Sequence, residues 1–441
     1  MLMQDFAAGL TYRALPESVL WTLRRSLLDT LGVAAIGSQS DMSKIGTKTA
    51  QSLFGATAAS SARCLFDGSI ASEAGAAMSG AMTIDSIDAH DGTSPCKGHA
   101  GSAICPSIFA LADGRGLTGQ NLATYLAVAY EISYRAGLTQ HATCAEYHTS
   151  GAWTAVGVAV MTAQILGCNA VQIHEAAGIG EYHGPRSQML RCIDHPTMVR
   201  DGVGWGAPTG VTAGILAKAG FTGAPALTCQ GPHWLGLGEG WKMVTDTHYK
   251  PYPCCRWAHP SIDAAKELMA RHALSHHDIA SVEIKTFHNA TRLAGHSPVS
   301  ADEFAYSIAF PVACMIVRGQ LGLSELDVSA LKNPEILRIS NATILIDDPH
   351  LTQISDGKRW AQVSILLRDG TRHEAAPRTP RGDKDLPLSD KEISDKYHSF
   401  ADPILGTEIS GRIETLCAKF DQLDADELQS LLDIILTKPG T

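Results

Sequence analysis

Residues 151–167, GAWTAVGVAVMTAQILG, form the most apolar stretch of the chain and indicate its fold class. The stretch is too short, and too rich in Thr, Gly and Gln, to span a bilayer comfortably. We therefore predict a buried core helix. Gly and Ala in this and other helical stretches replace bulky residues that would hold neighbours apart, so tight packing of helix on helix is expected.

Helical patterns continue on both sides of this stretch. Pro16 precedes apolar residues at helical spacing, Val19 to Leu31, and this arrangement predicts a helix that starts with a proline. Strand patterns are scarce in this part of the chain. Further helices are predicted at residues 71–84, 103–112, 122–136, 171–180 and 208–218.

The pattern changes at about Ile262. A helix is predicted at 262–271, followed by three strands that alternate apolar and polar residues. Asp369-Gly370 directly after the third strand is a strong signal for a hairpin turn. The strands are predicted at 280–287, 342–347 and 361–367, with a helix at 309–320 between the first and second, and helices return at 391–399 and through 408–437.

These patterns predict a mainly α protein with a large all-helical domain and a smaller inserted α+β domain. The first part of the helical domain is expected at 1–262 and the α+β domain at 263–395. Residues 396–441 are expected to return to the helical domain.

Composition excludes several classes of protein. With 45% hydrophobic and 18% charged residues among 441, the chain is an ordinary globular protein. Its net charge of −10, without a basic tract, argues against a nucleic-acid partner, because phosphate binding depends on clustered cations. The start of the chain has no basic region or long apolar run, so we expect no secretory signal, no membrane partner and a cytoplasmic location.

The densest polar cluster lies at residues 83–102, on a Gly- and Pro-containing loop between two predicted helices. Imidazoles close to carboxylates suit proton transfer near neutral pH, so we predict a catalytic site here. Helix caps on a solvated loop are the alternative. A metal is a second alternative, but the spacing matches no zinc pattern, and no metal is predicted. The cluster contains Asp85, Asp88, His90, Asp91, Lys97 and His99.

Three further segments carry polar residues with a possible role. His148 precedes the core helix, where a histidine is as well explained as a cap or packing residue. A Gly- and Pro-containing segment supplies three arginines that can bind carboxylates in bidentate fashion or form surface salt bridges. A third run, at the expected domain change, is either a ligand site or a rigid linker. The arginines are Arg186, Arg191 and Arg200, and the run contains Lys250, Tyr252 and Arg256.

Several landmarks carry a family resemblance: LLDTLG at 27–32, the loop with Asp88 and His99, the His148 turn, KPYP at 250–253 and the helix with Ser307. Their order and spacing resemble the MmgE/PrpD family over essentially the whole chain. That family includes 2-methylcitrate dehydratases, cis-aconitate decarboxylases and iminodisuccinate epimerases. The resemblance implies an enzyme without a cofactor, a helical domain with an α+β lid, and a homodimer. It also implies that the catalytic residues are Asp88, His99, His148 and Lys250.

The chain departs from the family pattern at three places. His99-Ala-Gly-Ser replaces a common His-Pro-Ser-Gly, Val199-Arg200 stands where a lysine is usual, and Phe310 replaces a tyrosine of the lid helix. We therefore predict a lyase for a small di- or tricarboxylate, either a dehydratase of a β-hydroxy acid or a decarboxylase of an aconitate-like acid. An epimerase of a dicarboxylate is the alternative, and a binding protein without activity is a third class. His90, Lys97, Tyr252, Arg256 and the three arginines are expected to bind substrate.

Overall fold

A computed structural model of the chain describes residues 1–293, 295–325 and 328–440. Helices dominate the part that it describes, and the strands are short. The helices are α1 (Met3–Gly9), α2 (Glu17–Gly37), α3 (Asp41–Leu53), α4 (Glu73–Asp85), α5 (Gly101–Ala112), α6 (Gly119–Thr143), α7 (Gly151–Ile165), α8 (Ala170–His183), α9 (Met189–Asp194), α10 (Val203–Lys218), α11 (Lys242–Asp246), α12 (His259–Arg271), α13 (Ala301–Ala305), α14 (Ala309–Arg318), α15 (Val328–Leu331), α16 (Pro334–Asn341), α17 (Pro349–Ile354), α18 (Asp390–Leu405), α19 (Thr407–Ala418) and α20 (Ala425–Ile435). The strands are β1 (Ala62–Arg63), β2 (Ile70–Ala71), β3 (Gly92–Thr93), β4 (Thr247–His248), β5 (Ile279–Thr286), β6 (Thr343–Asp347), β7 (Ala361–Leu367) and β8 (Arg372–Glu374).

The chain divides into two compact units. The first contains Met1–Met189, Arg200–Tyr249 and the residues from Ser389 onward, and the second contains Leu190–Val199 and Lys250–Leu388. The mainly α fold with a smaller α+β part is thus confirmed. The units change at 249/250 and 388/389, whereas the boundaries expected at 262/263 and 395/396 fall inside α12 and α18.

Helix α7 forms the core of the first unit, as the sequence predicts. Every residue from Gly151 to Ala163 is buried. Close approach depends on glycine at two contacts: a β-carbon on Gly157 would lie 2.0 Å from Ser133 Oγ of α6, and one on Gly210 of α10 would lie 2.6 Å from Val158 Cβ. A larger side chain at either position would force the helices apart, which confirms the expected tight packing.

The predicted helices of the first unit are present, with corrections at their ends. Helix α10 begins at Val203, five residues before the expected start at Pro208, so the proline lies inside the helix. The helical stretch expected through 408–437 is wrong as one element, because a 3₁₀ turn at Phe420–Gln422 separates α19 from α20. Asp424 then caps α20 in a reciprocal capping box with Glu427, which starts a new helix.

The first unit also contains two short pairs of strands beside its helices. Strands β1 and β2 form one antiparallel pair, and β3 and β4 form another in which Gly92 lies opposite His248. Each strand has only two residues, too few for a recognisable alternating pattern. The second pair matters for function, because it brings His248 to the polar loop between α4 and α5.

The second unit contains a four-stranded sheet with the order β6-β5-β7-β8. Strand β5 pairs in parallel with β6 and antiparallel with β7, and the predicted Asp-Gly turn joins β7 to an antiparallel β8. The three predicted strands are confirmed within one residue at each end. Helix α14 ends at Arg318, two residues earlier than predicted, and Gly319 follows it with a φ of 70°.

Among the described residues, no helix combines the length and the apolar character that crossing a membrane requires. Helix α7, the most apolar candidate in the sequence, has 15 residues.

Candidate active site

The polar loop between α4 and α5 is buried inside the first unit instead of being solvated. His90 and Asp91 are fully buried, and Asp88 and His99 are at most 8% exposed. Asp88 has a φ of 52°, in the left-handed region that aspartate tolerates better than most residues. A buried cluster of ionisable groups is costly unless the groups are paired, so each group in it needs partners.

His99 is fixed through its ring and its backbone. Its Nδ1 lies 2.7 Å from the backbone oxygen of Asp91, and its backbone N–H donates to Ser150 Oγ at 2.9 Å. Because a carbonyl oxygen can only accept, Nδ1 of His99 carries a proton. Its Nε2 lies 3.6 Å from Asp201 Oδ2. Nε2 is therefore the nitrogen that can gain or lose a proton.

Three imidazoles lie in a row. The ring centroids of His90 and His99 are 4.5 Å apart, and those of His99 and His248 are 6.4 Å apart with the rings perpendicular. Strand β4 holds His248, whose Nδ1 lies 3.3 Å from Ser94 Oγ. Gly92 leaves the space that this arrangement needs, since a β-carbon there would lie 2.7 Å from nitrogens of both His99 and His248.

Carboxylates of the same unit lie beside these rings. Asp85 Oδ1 is 3.7 Å from His90 Nε2, and Asp85 Oδ2 accepts the backbone N–H of Asp201 at 3.2 Å. Burial, and after it the charge of Asp201, raises the pKa of Asp85 well above its ordinary value, while Arg200 opposes the shift. Carboxyl groups thus lie close to imidazoles, which suits exchange of protons.

Asp91 connects the loop to the helices around it. Its Oδ2 accepts from Tyr130 at 2.8 Å and its Oδ1 from the backbone N–H of Gly101 at 3.0 Å. Burial raises the pKa of Asp91 to about 7, the Tyr130 hydrogen bond lowers it, and the charge of Asp29 raises it again. Because both oxygens accept hydrogen bonds from the protein, Asp91 holds the loop in place.

Three helix N-termini converge near His99. Helix α5 begins two residues after His99, α7 begins directly after Ser150, and α10 begins two residues after Asp201. Hydrogen bonds join these segments: Ser150 Oγ donates to Asp201 Oδ1 at 3.1 Å, and the N–H of Gly151 donates to the Asp201 backbone oxygen at 3.0 Å. Helix N-termini carry partial positive charge, so this region favours carboxylates.

Lys396 of α18 holds the loop from the opposite end of the chain. Its Nζ donates to Asp29 Oδ1 and to the backbone oxygen of Ala89, both at 2.6 Å. The ammonium and carboxylate are both buried, so the pair is shielded from solvent. Ala89 lies between Asp88 and His90, and α18 thereby fixes the backbone of the candidate site.

The remaining predicted residues of the first unit differ in their surroundings. His148 is 7% exposed and pairs by its backbone with Gln188 just before α7. Arg200 is buried, with Nη2 donating to the Ser86 oxygen at 3.0 Å. Lys97 is half-buried, and Arg186 is exposed and pairs with Glu181 at 3.0 Å. The first unit therefore brings together Asp88, His90 and His99, with Arg200 near Asp85, whereas Arg186 forms a salt bridge with the buried Glu181.

The other predicted residues belong to the second unit. Lys250 is fully buried, and Arg191 is exposed. Tyr252 donates to Asp263 Oδ1 at 2.8 Å, and burial, then the charge of Asp263, raises its pKa. Arg256 pairs with Asp383 at 2.7 Å. Within this unit, Tyr252 and Arg256 have protein partners for their polar groups.

Two groups of side chains among the described residues have a spacing that a metal ion can use. Asp88, His90 and His99 each offer an atom within 4.8 Å of the others, and so do His276, His277 and Glu335 near the surface of the second unit. Buried histidine and aspartate at this separation serve equally well as acid–base groups, and we treat the first group in that way.

Sequence reasoning missed Asp201 and His248 as site residues. Asp201 directly follows an arginine that was selected for its charge, and His248 begins the run that contains Lys250. Neither residue has a local pattern that distinguishes it, because its neighbours in the site come from distant parts of the chain.

Comparisons with known proteins extend over both units. The MmgE/PrpD N-terminal domain matches residues 2–236, and the MmgE/PrpD C-terminal domain matches residues 252–422. A cis-aconitate decarboxylase-like protein of Aspergillus oryzae is 22% identical over 410 residues, which cover 81% of this chain and 82% of that protein. Cis-aconitate decarboxylase of Homo sapiens is 22% identical over 457 aligned positions, covering 98% of this chain and 93% of that protein.

Proposed function

The chain belongs to the MmgE/PrpD family, and on that basis we propose that it is a lyase that acts on a small di- or tricarboxylate without a cofactor. One observation carries the proposal: His90, His99 and His248 form a buried row beside carboxylates, close to three helix N-termini. The row supplies groups that exchange protons, and the N-termini favour a bound carboxylate.

The chemistry requires a pair of electrons on the carbon next to a carboxylate. In dehydration, a base removes the proton from carbon, the C–O bond breaks, and an acid protonates the departing hydroxyl to give water and an alkene. In decarboxylation, the C–C bond breaks, CO₂ leaves, and an acid protonates the carbon. Positive charge near the carboxylate oxygens stabilises either transition state.

We assign these roles to the four residues that the family resemblance selects and to Arg200, one of the three arginines expected to bind substrate. His99 exchanges the proton through Nε2, because Nδ1 is held by the Asp91 carbonyl. His148 is the second acid–base group, and Asp88 orients an imidazole. Lys250 and Arg200 provide positive charge for substrate carboxylates. The two relatives are named as a cis-aconitate decarboxylase and a protein like it, which supports aconitate-like acids as the first compounds to test.

An epimerase is the second candidate, and the observation that favours it is Phe310. The ring of Phe310 is fully buried and packs edge-to-face on Phe304 at 5.8 Å. A phenylalanine cannot donate a proton, so one acid of the family pattern is missing. Removal of a proton at carbon and its return on the opposite face needs no leaving group, and it fits a site with fewer acids.

The test is proton NMR of the purified protein in D₂O with citrate-like, aconitate-like and succinate-derived acids. A new alkene signal or loss of a carboxylate supports the lyase, whereas deuterium at the α-carbon without net conversion supports the epimerase. His99→Asn should reduce either activity by at least about 100-fold, the low end of general acid–base contributions. His350→Asn, at an exposed histidine, is the matched control.

An unchanged rate for a folded His99→Asn protein would contradict the proposal. No reaction across the whole panel would support a binding protein. We also propose a homodimer, as the family resemblance implies, and light scattering should give twice the mass of one chain.

A further inference from the structure

His99 has a second fixed neighbour besides the Asp91 carbonyl, and this neighbour is ionisable. Asp201 Oδ2 lies 3.6 Å from Nε2 of the ring, the nitrogen that gains or loses a proton. When Nε2 is unprotonated, its lone pair faces a carboxylate oxygen, which is unfavourable. When Nε2 is protonated, the same geometry is an ion pair. The position of Asp201 therefore favours the imidazolium form of His99.

The geometry holds Asp201 firmly in this position. Its Oδ1 accepts from Ser150 Oγ at 3.1 Å, its backbone N–H donates to Asp85 Oδ2 at 3.2 Å, and its backbone oxygen accepts from Gly151 at 3.0 Å. Asp201 is 3% exposed. Ser150 also accepts the backbone N–H of His99 at 2.9 Å, so one hydroxyl aligns both partners.

Other ionisable groups also face the pair: Asp201 Oδ2 lies 3.6 Å from Nε2, and Asp88 offers an oxygen within 4.8 Å of a ring nitrogen of His99. Asp85 Oδ1 lies 3.7 Å from His90 Nε2, and burial raises the pKa of Asp85. His90 and His248 are cationic only when protonated. The groups that face His99 or Asp201 are Asp85, Asp88, His90, Arg200 and His248.

We propose that Asp201 is a positioning residue that keeps a proton on Nε2 of His99, so that His99 begins the reaction as the acid. The proposal rests on the proposed function in one respect, the role of His99 in catalysis. The proposal also separates two catalytic roles: His99 donates a proton, and another group removes the proton from carbon. The pairing itself can be measured without a substrate.

The experiment is a pH titration of the ¹⁵N-histidine-labelled full chain by NMR. The signals of His99 are assigned as those missing in His99→Asn. In the unmodified protein, Nδ1 should stay protonated throughout and only Nε2 should titrate. Asp201→Asn keeps an oxygen that can accept from Ser150 but removes the negative charge. The midpoint of the His99 titration should then fall by about one to three pH units, the usual effect of losing an opposite charge at this distance.

Two variants serve as controls. Asp201→Glu retains the charge and should bring the midpoint back towards that of the unmodified protein. Asp85→Asn removes a carboxyl group from the same buried cluster, next to a different imidazole, and should move the His99 midpoint by less than half of the Asp201→Asn shift. Once a substrate is known, the matching limb of the pH profile of kcat/KM should move with the NMR midpoint.

An unchanged midpoint in Asp201→Asn, or an equal shift in Asp85→Asn, would overturn the inference. If Asp201→Asn does not fold, the titration of the unmodified protein still tests the inference. Titration of His99 at Nδ1, with Nε2 protonated at every pH, would refute its pairing with Asp201. An active His99→Asn protein would instead refute the proposed function, and the ring-nitrogen measurement would then stand as evidence for the pairing alone.

Discussion

Replacing Gly92 with alanine should disturb the candidate site at its most crowded point. The new β-carbon would lie 2.7 Å from His99 Nδ1, 2.7 Å from His248 Nε2 and 3.0 Å from the Gly98 oxygen. Ordinary contacts of this kind are about 3.5 Å, so each ring would have to move by roughly 0.8 Å. The hydrogen bond from His99 Nδ1 to Asp91, now 2.7 Å, would then stretch past its limit of about 3.2 Å.

Two effects of this change can be given a magnitude. Overpacking in a dense core costs about 1–3 kcal/mol, and the weakened hydrogen bond adds about 1 kcal/mol. We therefore expect the free energy of unfolding to fall by about 2–4 kcal/mol, the sum of these contributions. A displacement of nearly 1 Å should also lower turnover by about 100-fold, because catalytic groups tolerate little misplacement.

Urea unfolding measures the first effect, and proton exchange in D₂O measures the second. Gly411→Ala is the matched control, since Gly411 lies in α19 with open space around it, and alanine there should stabilise the helix by about 0.5–1 kcal/mol. The reasoning is refuted if Gly92→Ala unfolds like the unmodified protein and the NMR signals of His99 do not move.

Three further predictions concern the loop and its charges. Lys396→Met leaves the buried Asp29 carboxylate without its ammonium partner and should cost about 3–5 kcal/mol in urea unfolding, whereas a loss below about 1 kcal/mol would mean that the pair is not buried in solution. The pKa of Asp91 is raised from 3.8 to about 7, so between these pH values the folded state keeps a proton that the unfolded state releases. The free energy of unfolding should therefore fall as the pH rises from 3.8 to about 7. Over this pH range the free energy of unfolding of the unmodified protein should fall by at most about 4 kcal/mol more than that of Asp91→Asn. Equal pH dependence of the two proteins would contradict the raised pKa of Asp91. Finally, exhaustive treatment with EDTA should leave turnover unchanged, and recovery of lost activity by Zn²⁺ would instead identify a metal enzyme.

The departures from the family pattern bear on which reaction the site performs. Arg200, at the place of a common lysine, is buried and donates to the Ser86 carbonyl, so part of its hydrogen-bonding capacity is used by the protein. Asp201 follows it directly and lies beside His99. Arg200 and Asp201 thus place a guanidinium and a carboxylate next to each other in the buried loop.

Local interactions explain what the sequence alone determined. Helix α7 is predictable because its apolar residues are continuous, and β7 with its turn is predictable because alternation and Asp369-Gly370 act over a few residues. The buried loop with Asp88 and His99 also stands out locally, because polar residues are dense there within an apolar region. Preferences of neighbouring residues are sufficient in each case.

Tertiary structure alone decided which residues complete the site. Ser94 and His248 are 154 positions apart, and Lys396 reaches Ala89 across 307 positions. Asp201 becomes a neighbour of His99 because α5, α7 and α10 pack with their N-termini together. Contacts of this kind depend on how closely Gly- and Ala-rich helices approach, and that distance is set by the whole packed core and not by any short stretch of the chain.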